Sequence, residues 1–182
     1  ESGQDDRSAH FVVVVVVIDV RVNDIDDVRD ELLAVEMEAK TNSMKWHKTK
    51  HERRIQYLAL AHKRKIPSGG VYFGRYKKPL PYFFPMTDAV SRAVRSSAKG
   101  TYTAVVYVDG IDKTIAKKFT NVLRAQGTSL RMVQGRREEG EPLIRLADMW
   151  AGCIRGALLK MEDSKNLFKQ AQRSGYLRDV SS

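Results

Sequence analysis

The sequence predicts a mixed α/β fold, in which a central mixed β-sheet is flanked by helices. A run of β-branched residues near the start indicates a buried strand, and helix patterns follow it. Farther along the chain, a second strand pattern is again followed by a helix pattern. Strands that alternate with helices are typical of α/β proteins in which at least part of the sheet is parallel.

The first half of the chain predicts one long strand and three helices. The strand spans 10–22, and its apolar run at 11–18 does not alternate with polar residues, which is typical of a strand covered on both faces. Helices are predicted at 24–40 with Asn23 or Asp24 as the cap, at 50–65, and from Thr87 or Asp88 to about residue 97. The last two of these helices are separated by a short extended segment at 71–73 and a proline-containing loop at 79–85.

The second half predicts two strands and two strong helices. A strand at 101–108 ends at Asp109, and a helix at about 112–126 follows, with Gly127 as its C-cap. A short strand at 129–133, a polar loop at 135–141 and a helix from Pro142 to about residue 161 come next, before a shorter helical tail. The length of 182 residues suits a single domain over 1–182, with a basic helical insertion at about 40–99.

The basic character of the chain is concentrated in one stretch. The sequence has 32 Lys and Arg against 22 Asp and Glu, a formal net charge of +10, yet its first forty residues are rich in acids. From 40 to 78 there are twelve basic residues against Glu52 alone, and five aromatic residues are interleaved with them. This mixture suits a nucleic-acid surface, because cations contact phosphates and flat rings stack on bases. The alternative is a solvated helical face together with core aromatic residues.

Several protein classes are excluded by what the sequence lacks. Cys153 is the single cysteine, so there is no disulfide framework, and we expect a packed thiol in a protein of the reducing cytoplasm. The longest apolar run, 11–18, is too short to span a bilayer, and no secretory signal is visible, so we expect no membrane partner. The sequence contains neither a glycine-rich nucleotide-binding loop nor a serine nucleophile elbow.

A histidine pair lies within the basic stretch. His47 and His51 are four residues apart, a spacing that zinc-binding helices share, but their order differs from that of the zinc-protease motif and no third ligand is apparent. We therefore prefer a pair that contacts phosphate, or one member near an active site, over a zinc site. The candidates for positioning phosphate are His47, Lys48, Lys50, Arg53 and Arg54.

Two carboxylates occupy unusual places in the predicted elements. Asp109 follows the strand at 101–108, at the edge where α/β proteins collect their ligands, although it is also a possible helix cap together with Asp112. Asp148 projects from the apolar stripe that contains Ile144 and Ala151. A carboxylate there is expected to be partly buried and to need a partner, which is an arginine, backbone donors or a metal.

The alternative for Asp148 is a structural ion pair with Arg145 or Arg155 on the same helix. If instead Asp109 and Asp148 meet at one end of the sheet, they form a hard oxygen site whose natural occupant is Mg²⁺ or Mn²⁺. With a basic surface alongside, the natural substrate is a phosphodiester.

Several motifs occur in the order of a known family. The chain begins Glu1-Ser2-Gly3, a valine-rich strand follows, Val-Tyr-Val-Asp lies at 106–109, and Pro-Leu-Ile-Arg-Leu-Ala-Asp-Met-Trp-Ala-Gly lies at 142–152. In these features the chain resembles the bacterial, archaeal and phage family known as domain-of-unknown-function 3800. That family pairs an N-terminal Asp-Glu-Ser-Gly with a C-terminal Gln-x-Ala-Asp helix, and Trp46-His47 is similar to a segment that often lies between them. The resemblance covers most of the chain in order and spacing.

The resemblance implies a ribonuclease H-like fold and metal-dependent cleavage of nucleic-acid phosphodiester bonds. It implies that Glu1, Asp109 and Asp148 hold two metal ions that activate water and stabilise the leaving oxygen. Two positions depart from the family: the sequence begins at Glu1, without the Asp that precedes this Glu in the family, and Arg145 stands where Gln is usual. Arg145 is expected to pair with Asp148 or to reach substrate phosphate. Glu138, Glu139 and Glu141 are candidates for a further metal ligand, and the sequence does not distinguish among them.

The sequence therefore supports three hypotheses. The first is a nuclease that depends on Mg²⁺ or Mn²⁺ and acts on DNA or RNA. The second is a module that binds nucleic acid without catalysis, in which the acids are structural. The third is a subunit of a larger defence or mobile-element complex, in which a partner completes the site. A homo-oligomer is also considered.

Overall fold

The described part of the chain contains the valine strand, followed by helices and strands in succession. In the computed structural model, residues 8–41 and 48–181 are described, and Glu1 and His47 lie outside them. The strands are β1 (His10–Val16), β2 (Val71–Lys77), β3 (Ala104–Asp109), β4 (Leu130–Arg136) and β5 (Leu177–Asp179). The helices are α1 (Ile25–Glu38), α2 (His51–Arg64), α3 (Phe83–Ser97), α4 (Lys113–Ala125), α5 (Pro142–Leu158) and α6 (Glu162–Arg173), with a 3-10 turn at Glu138–Gly140.

The described strands form two small sheets instead of the single central sheet that the sequence predicts. β1 pairs antiparallel with β2, from His10 opposite Lys77 to Val16 opposite Val71, and β5 adds to β2 in parallel. β3 and β4 form a separate parallel pair. The mixed α/β class and the parallel component are thus confirmed, whereas the expected continuous sheet is interrupted between β1 and β3.

The valines of β1 face two different helical layers. Val12 and Val14 belong to the main core, which contains residues of α1, α2, α5 and α6. Val13 packs with Ala89 of α3 on the opposite face. Because both faces of β1 are covered by helices, neither set of alternating positions is polar, which confirms the prediction made from the unbroken apolar run.

Helix α5 lies at the centre of the main core. Twelve of its seventeen residues are buried, including Trp150, which is fully enclosed. The sequence predicts a single apolar stripe, but α5 packs against β1 on one side and against α1, α2 and α6 on others. Cys153 is buried as expected, and burial raises the pKa of its thiol to about 12.

A second, smaller core joins the two sheets. Phe119 and Leu123 of α4 pack with Val106 and Val108 of β3 and with Val90 of α3. Because α3 also packs against β1 and β2, it connects the β3–β4 pair to the three-stranded sheet.

Several element boundaries differ from the prediction. β1 ends before the predicted strand does, because the chain turns where Val22 and Asn23 donate N–H groups to the Asp19 carbonyl at 3.1 and 3.0 Å. α3 begins at Phe83, and Pro85 falls in its first turn, where a helix does not require an N–H donor.

The range 40–99, expected to be a helical insertion, contains α2 and α3 but also β2, whose seven residues all pair with β1. β5 was not predicted, since a three-residue strand has no periodic signal of its own. Within the described residues, none of the helices combines the length and the apolar character needed to cross a membrane.

Candidate active site

A cavity of about 920 Å³ lies between the two sheets. Its walls are β1 with the following residues 17–21, β3, and parts of α3, α4 and α5. The lining is mostly apolar and includes the valines at 13–17 and 105–106. We refer to it as the inter-sheet groove.

The two carboxylates that the sequence singled out both belong to the lining of the groove. Asp109 is the last residue of β3 and is exposed, while Asp148 projects from the middle of α5 and is partly buried. Both line the inter-sheet groove. The expected partial burial of Asp148 is confirmed, and the two acids line one cavity from two separate elements.

Asp109 is not the cap of the following helix. The carboxylate of Asp112 accepts a hydrogen bond from the Ile115 N–H at 2.8 Å and caps α4. The alternative in which Asp109 is the N-cap and Asp112 supports it is therefore wrong, because Asp112 is itself the cap. Asp109 therefore does not cap α4, and it is an exposed residue of the groove lining.

Glu141 is a third carboxylate in the groove wall. Its side chain is buried, caps α5 by accepting from the Leu143 N–H at 3.4 Å, and accepts hydrogen bonds from Arg29 at 2.7 and 3.1 Å. These bonds raise the pKa of Arg29. The sequence patterns did not distinguish among Glu138, Glu139 and Glu141. Glu141 could have been singled out because it directly precedes Pro142, and a carboxylate at that position can cap the start of the helix. Since Arg29 compensates its charge, Glu141 already has a structural role.

Arg145 forms an ion pair that the sequence patterns did not predict. Its guanidinium donates to both carboxylate oxygens of Glu36 at 2.6 and 3.0 Å and to the Glu139 carbonyl at 3.0 Å. Arg145 is only 3% exposed and Glu36 only 4%. A guanidinium enclosed in this way is poorly placed to contact a phosphate at the surface. Glu36 lies one helical turn after Leu32 on the buried face of α1. This spacing was the signal in the sequence that Glu36 would be buried and would need a partner.

The predicted phosphate-contacting residues lie at the start of α2. Lys48 and Lys50 are exposed, Arg53 donates to the Lys40 carbonyl at 2.9 Å, and partial burial lowers the pKa of Arg54. The Nε2 atom of His51 lies 3.3 Å from a carboxylate oxygen of Asp163 on α6. None of the groove-lining residues in the described part of the chain comes from 48–54. The structure therefore does not bring this basic segment into the lining of the groove that contains Asp109 and Asp148.

A different basic residue lies beside Asp109. Arg136, at the end of β4, is the register partner of Asp109, and its guanidinium lies 5.1 Å from the centre of the Tyr107 ring. The sequence patterns did not single out Arg136. The signal was its position: the ends of parallel strands lie side by side, so a basic residue that closes one strand is a neighbour of an acid that closes the other.

The described residues do not form a complete metal site on their own. Across 8–41 and 48–181, no group of three or more His, Cys, Asp or Glu residues is arranged to hold a metal ion. Asp109 and Asp148 supply oxygen ligands of the kind that Mg²⁺ and Mn²⁺ prefer, but two carboxylates are an incomplete set. Glu1, the third acid that the family resemblance adds, lies outside the described residues.

Comparison with protein-family models, with curated proteins and with solved structures finds no match for this chain. The geometry of the groove and the residue motifs of the sequence are therefore the features that bear on function.

Proposed function

We propose that the protein is a divalent-metal-dependent nuclease with a ribonuclease H-like fold, which cleaves phosphodiester bonds in DNA or RNA. The observation that carries the proposal is that Asp109 and Asp148, from β3 and α5, line the same groove. In α/β proteins, ligands collect where strands end at their carboxyl edge, and Asp109 occupies that position on β3.

In this proposal Asp109, Asp148 and Glu1 hold Mg²⁺ or Mn²⁺. Such an ion would lower the pKa of water and would offset the negative charge that develops on a phosphodiester. Arg136, next to Asp109, contributes a planar donor that suits a phosphate oxygen. The basic stretch that includes Lys48 and Lys50 holds more distant parts of the nucleic-acid backbone.

The test is cleavage of labelled single- and double-stranded DNA and RNA in the presence of Mn²⁺. Asp109→Asn and Asp148→Asn are each expected to abolish cleavage, because an amide is a weaker metal ligand than a carboxylate. Asp30→Asn is the matched control, since Asp30 is an exposed acid of α1 that does not line the groove. Circular dichroism and thermal unfolding verify that each variant folds. Cleavage that persists equally in both variants and in EDTA would overturn the proposal.

A second candidate is a nucleic-acid-binding module without catalysis, acting alone or as a subunit of a larger complex. It is favoured by the incomplete metal group among the described residues and by the structural role of Glu141. This candidate predicts salt-dependent nucleic-acid binding together with no heat of Mn²⁺ binding in calorimetry. Mn²⁺ binding that disappears in Asp148→Asn would exclude it.

A further inference from the structure

The β3–β4 pair has one face buried and one face open. Val106 and Val108 of β3 pack with Phe119 of α4 on the buried face. Because side chains of a strand alternate between its two faces, the residues between these valines point away from α4. They belong to three cross-strand pairs, which are Val105 with Met132, Tyr107 with Gln134, and Asp109 with Arg136. We refer to these six residues as the open face.

The open face is accessible along its length. Val105 is 41% exposed and Met132 is 39% exposed. Asp109 and Arg136 are exposed at the other end, and the central pair is partly buried. Among the described elements, β4 makes extensive contacts only with β3 and with α4, which lies on the buried face. Since a strand rises about 3.3 Å per residue, the three pairs extend over about 13 Å.

The open face combines an aromatic ring, a guanidinium and an amide. The Arg136 guanidinium lies 5.1 Å from the centre of the Tyr107 ring, within the range of a cation–π contact. This contact holds the guanidinium along the sheet, next to Asp109 in the register. Gln134, opposite Tyr107, carries an amide that both donates and accepts hydrogen bonds. Rings and guanidinium planes stack on unpaired bases, whose edges are then free to bond to polar side chains.

The charge on β4 is positive and is not neutralised by acids. Arg131, Arg136 and Arg137 lie on this strand or directly after it, and no acid occurs from 113 to 137. Within the described residues, none of these three arginines forms an ion pair, whereas several arginines elsewhere do. Cations without a carboxylate partner favour a polyanionic ligand at this surface.

We propose that the open face binds the unpaired bases of single-stranded nucleic acid, which makes single strands the ligand of the candidate site. The inference rests on the proposed nuclease function, since Tyr107 and Asp109 both line the inter-sheet groove. A strand whose bases lie on Tyr107 has its phosphates within reach of Arg136, beside the candidate metal ligand.

Other occupants fit the open face less well. The bases of a duplex are paired and stacked on one another, so they do not present a face to a flat sheet. In a symmetric dimer, the same patch of both copies forms the interface. Two open faces brought together would therefore place the arginines of one copy against those of the other.

The first test compares ligands by fluorescence anisotropy in EDTA, where metal-dependent cleavage does not occur. The ligands are a labelled single-stranded oligonucleotide, its duplex, and an abasic strand of the same length. We expect the single strand to bind at least about tenfold more tightly than the other two, because stacked bases add to its affinity. The abasic strand separates stacking from charge, since it has the same phosphates. Equal binding of the abasic strand or of the duplex would overturn the proposal.

The second test compares two exposed rings. Tyr107→Ala is expected to weaken single-strand binding about tenfold, because it removes the stacking ring, and Tyr107→Phe is expected to restore it. Phe84→Ala is the matched control, since Phe84 is 58% exposed and lies outside both the open face and the groove lining. Circular dichroism verifies that each variant folds. No effect of Tyr107→Ala, or an equal effect of Phe84→Ala, would contradict the proposal.

The third test locates the bases on the unaltered protein and so does not depend on how variants fold. A single strand that contains a photoreactive thio-substituted base is crosslinked to the protein, and the attached peptides are identified by mass spectrometry. We expect crosslinks within 105–109 or 132–136. Crosslinks confined to 48–54 would show that the basic segment ahead of α2 holds the bases, and would overturn the proposal.

The two proposals fail in different ways. Single-strand binding that depends on Tyr107, without cleavage in Mn²⁺, would support the open face and overturn the nuclease. Cleavage that is lost in Asp109→Asn, with binding unaffected by Tyr107→Ala, would support the nuclease and overturn the role of the open face. Self-association that disappears in Met132→Lys would assign this face to a second copy and would also overturn the proposal.

Discussion

Single residues decide how charge is accommodated inside this protein. Arg145 and Glu36 are both nearly fully buried, and the two hydrogen bonds between them compensate each charge. Burial raises the pKa of the adjacent Tyr57 hydroxyl well above its usual range, and the charge of Glu36 adds to that effect. The pair joins α1 to α5 within the main core.

Removing one member of this pair is expected to cost far more than removing both. Arg145→Met should lower the free energy of unfolding by about 3–5 kcal/mol, because Glu36 remains buried without its main partner. The double variant with Glu36→Leu should regain most of that loss. Urea unfolding followed by circular dichroism measures both values.

The exposed pair of Arg64 and Glu38 provides the comparison for the buried one. Arg64→Met should change the free energy of unfolding by less than about 1 kcal/mol, since an exposed pair is screened by solvent. A similar effect of Arg145→Met and Arg64→Met would contradict the role that we assign to the buried pair.

At the scale of elements, the junction of α5 and α6 depends on close approach. A Cβ atom built on Gly156 would lie 2.7 Å from the Ser164 hydroxyl oxygen and 3.1 Å from its Cβ atom. Ser164 is itself fully buried, so it has little room to move. This contact explains why a glycine occurs at this position of the helix.

We expect Gly156→Ala to lower the free energy of unfolding by about 1–3 kcal/mol, because it overpacks the junction. Combining it with Ser164→Ala should restore part of the loss, since the closest atom is removed. Gly140→Ala is the control, as nothing lies within 4 Å of a Cβ atom built there. Thermal unfolding monitored at one wavelength compares the three proteins, and equal stability of Gly156→Ala and Gly140→Ala would refute this account.

At the scale of the whole molecule, the charge has two separate locations. The carboxylates of the candidate site line the groove between the sheets, whereas Lys48 and Lys50 are exposed ahead of α2 and do not line it. The net charge of +10 favours a polyanionic partner. If the partner is nucleic acid, it must extend beyond the groove to contact both regions.

Lys48→Ser with Lys50→Ser is therefore expected to weaken nucleic-acid binding and to reduce the dependence of log K on log salt by about 1 per lost phosphate contact. Lys117→Ser with Lys118→Ser removes the same charge from an exposed face of α4 and is the matched control. Anisotropy titrations of a labelled oligonucleotide at several salt concentrations give both slopes. Equal slopes for the two double variants would show that only the net charge of the protein affects binding, and that the position of Lys48 and Lys50 does not.

The local patterns of the sequence predicted much of the fold. Asp24 and Gly127 mark a helix start and a helix end as expected, and the unbroken valine run correctly indicated a strand covered on both faces. These features depend on residues near one another in the chain, where capping and periodicity act. Asp109 and Asp148, which the same reasoning singled out, both line the inter-sheet groove, one from the end of a strand and the other from the middle of a helix.

What the sequence by itself determined is the class of fold, the order of its elements and two of the acids at the candidate site. Only the tertiary structure decided that Arg145 pairs with Glu36, that Glu141 is held by Arg29, and that β1 and β3 border a groove instead of pairing. Contacts of this kind join residues far apart in the chain. Their partners are determined by packing and by the need to compensate buried charge. Local periodicity in the sequence carries no information about either.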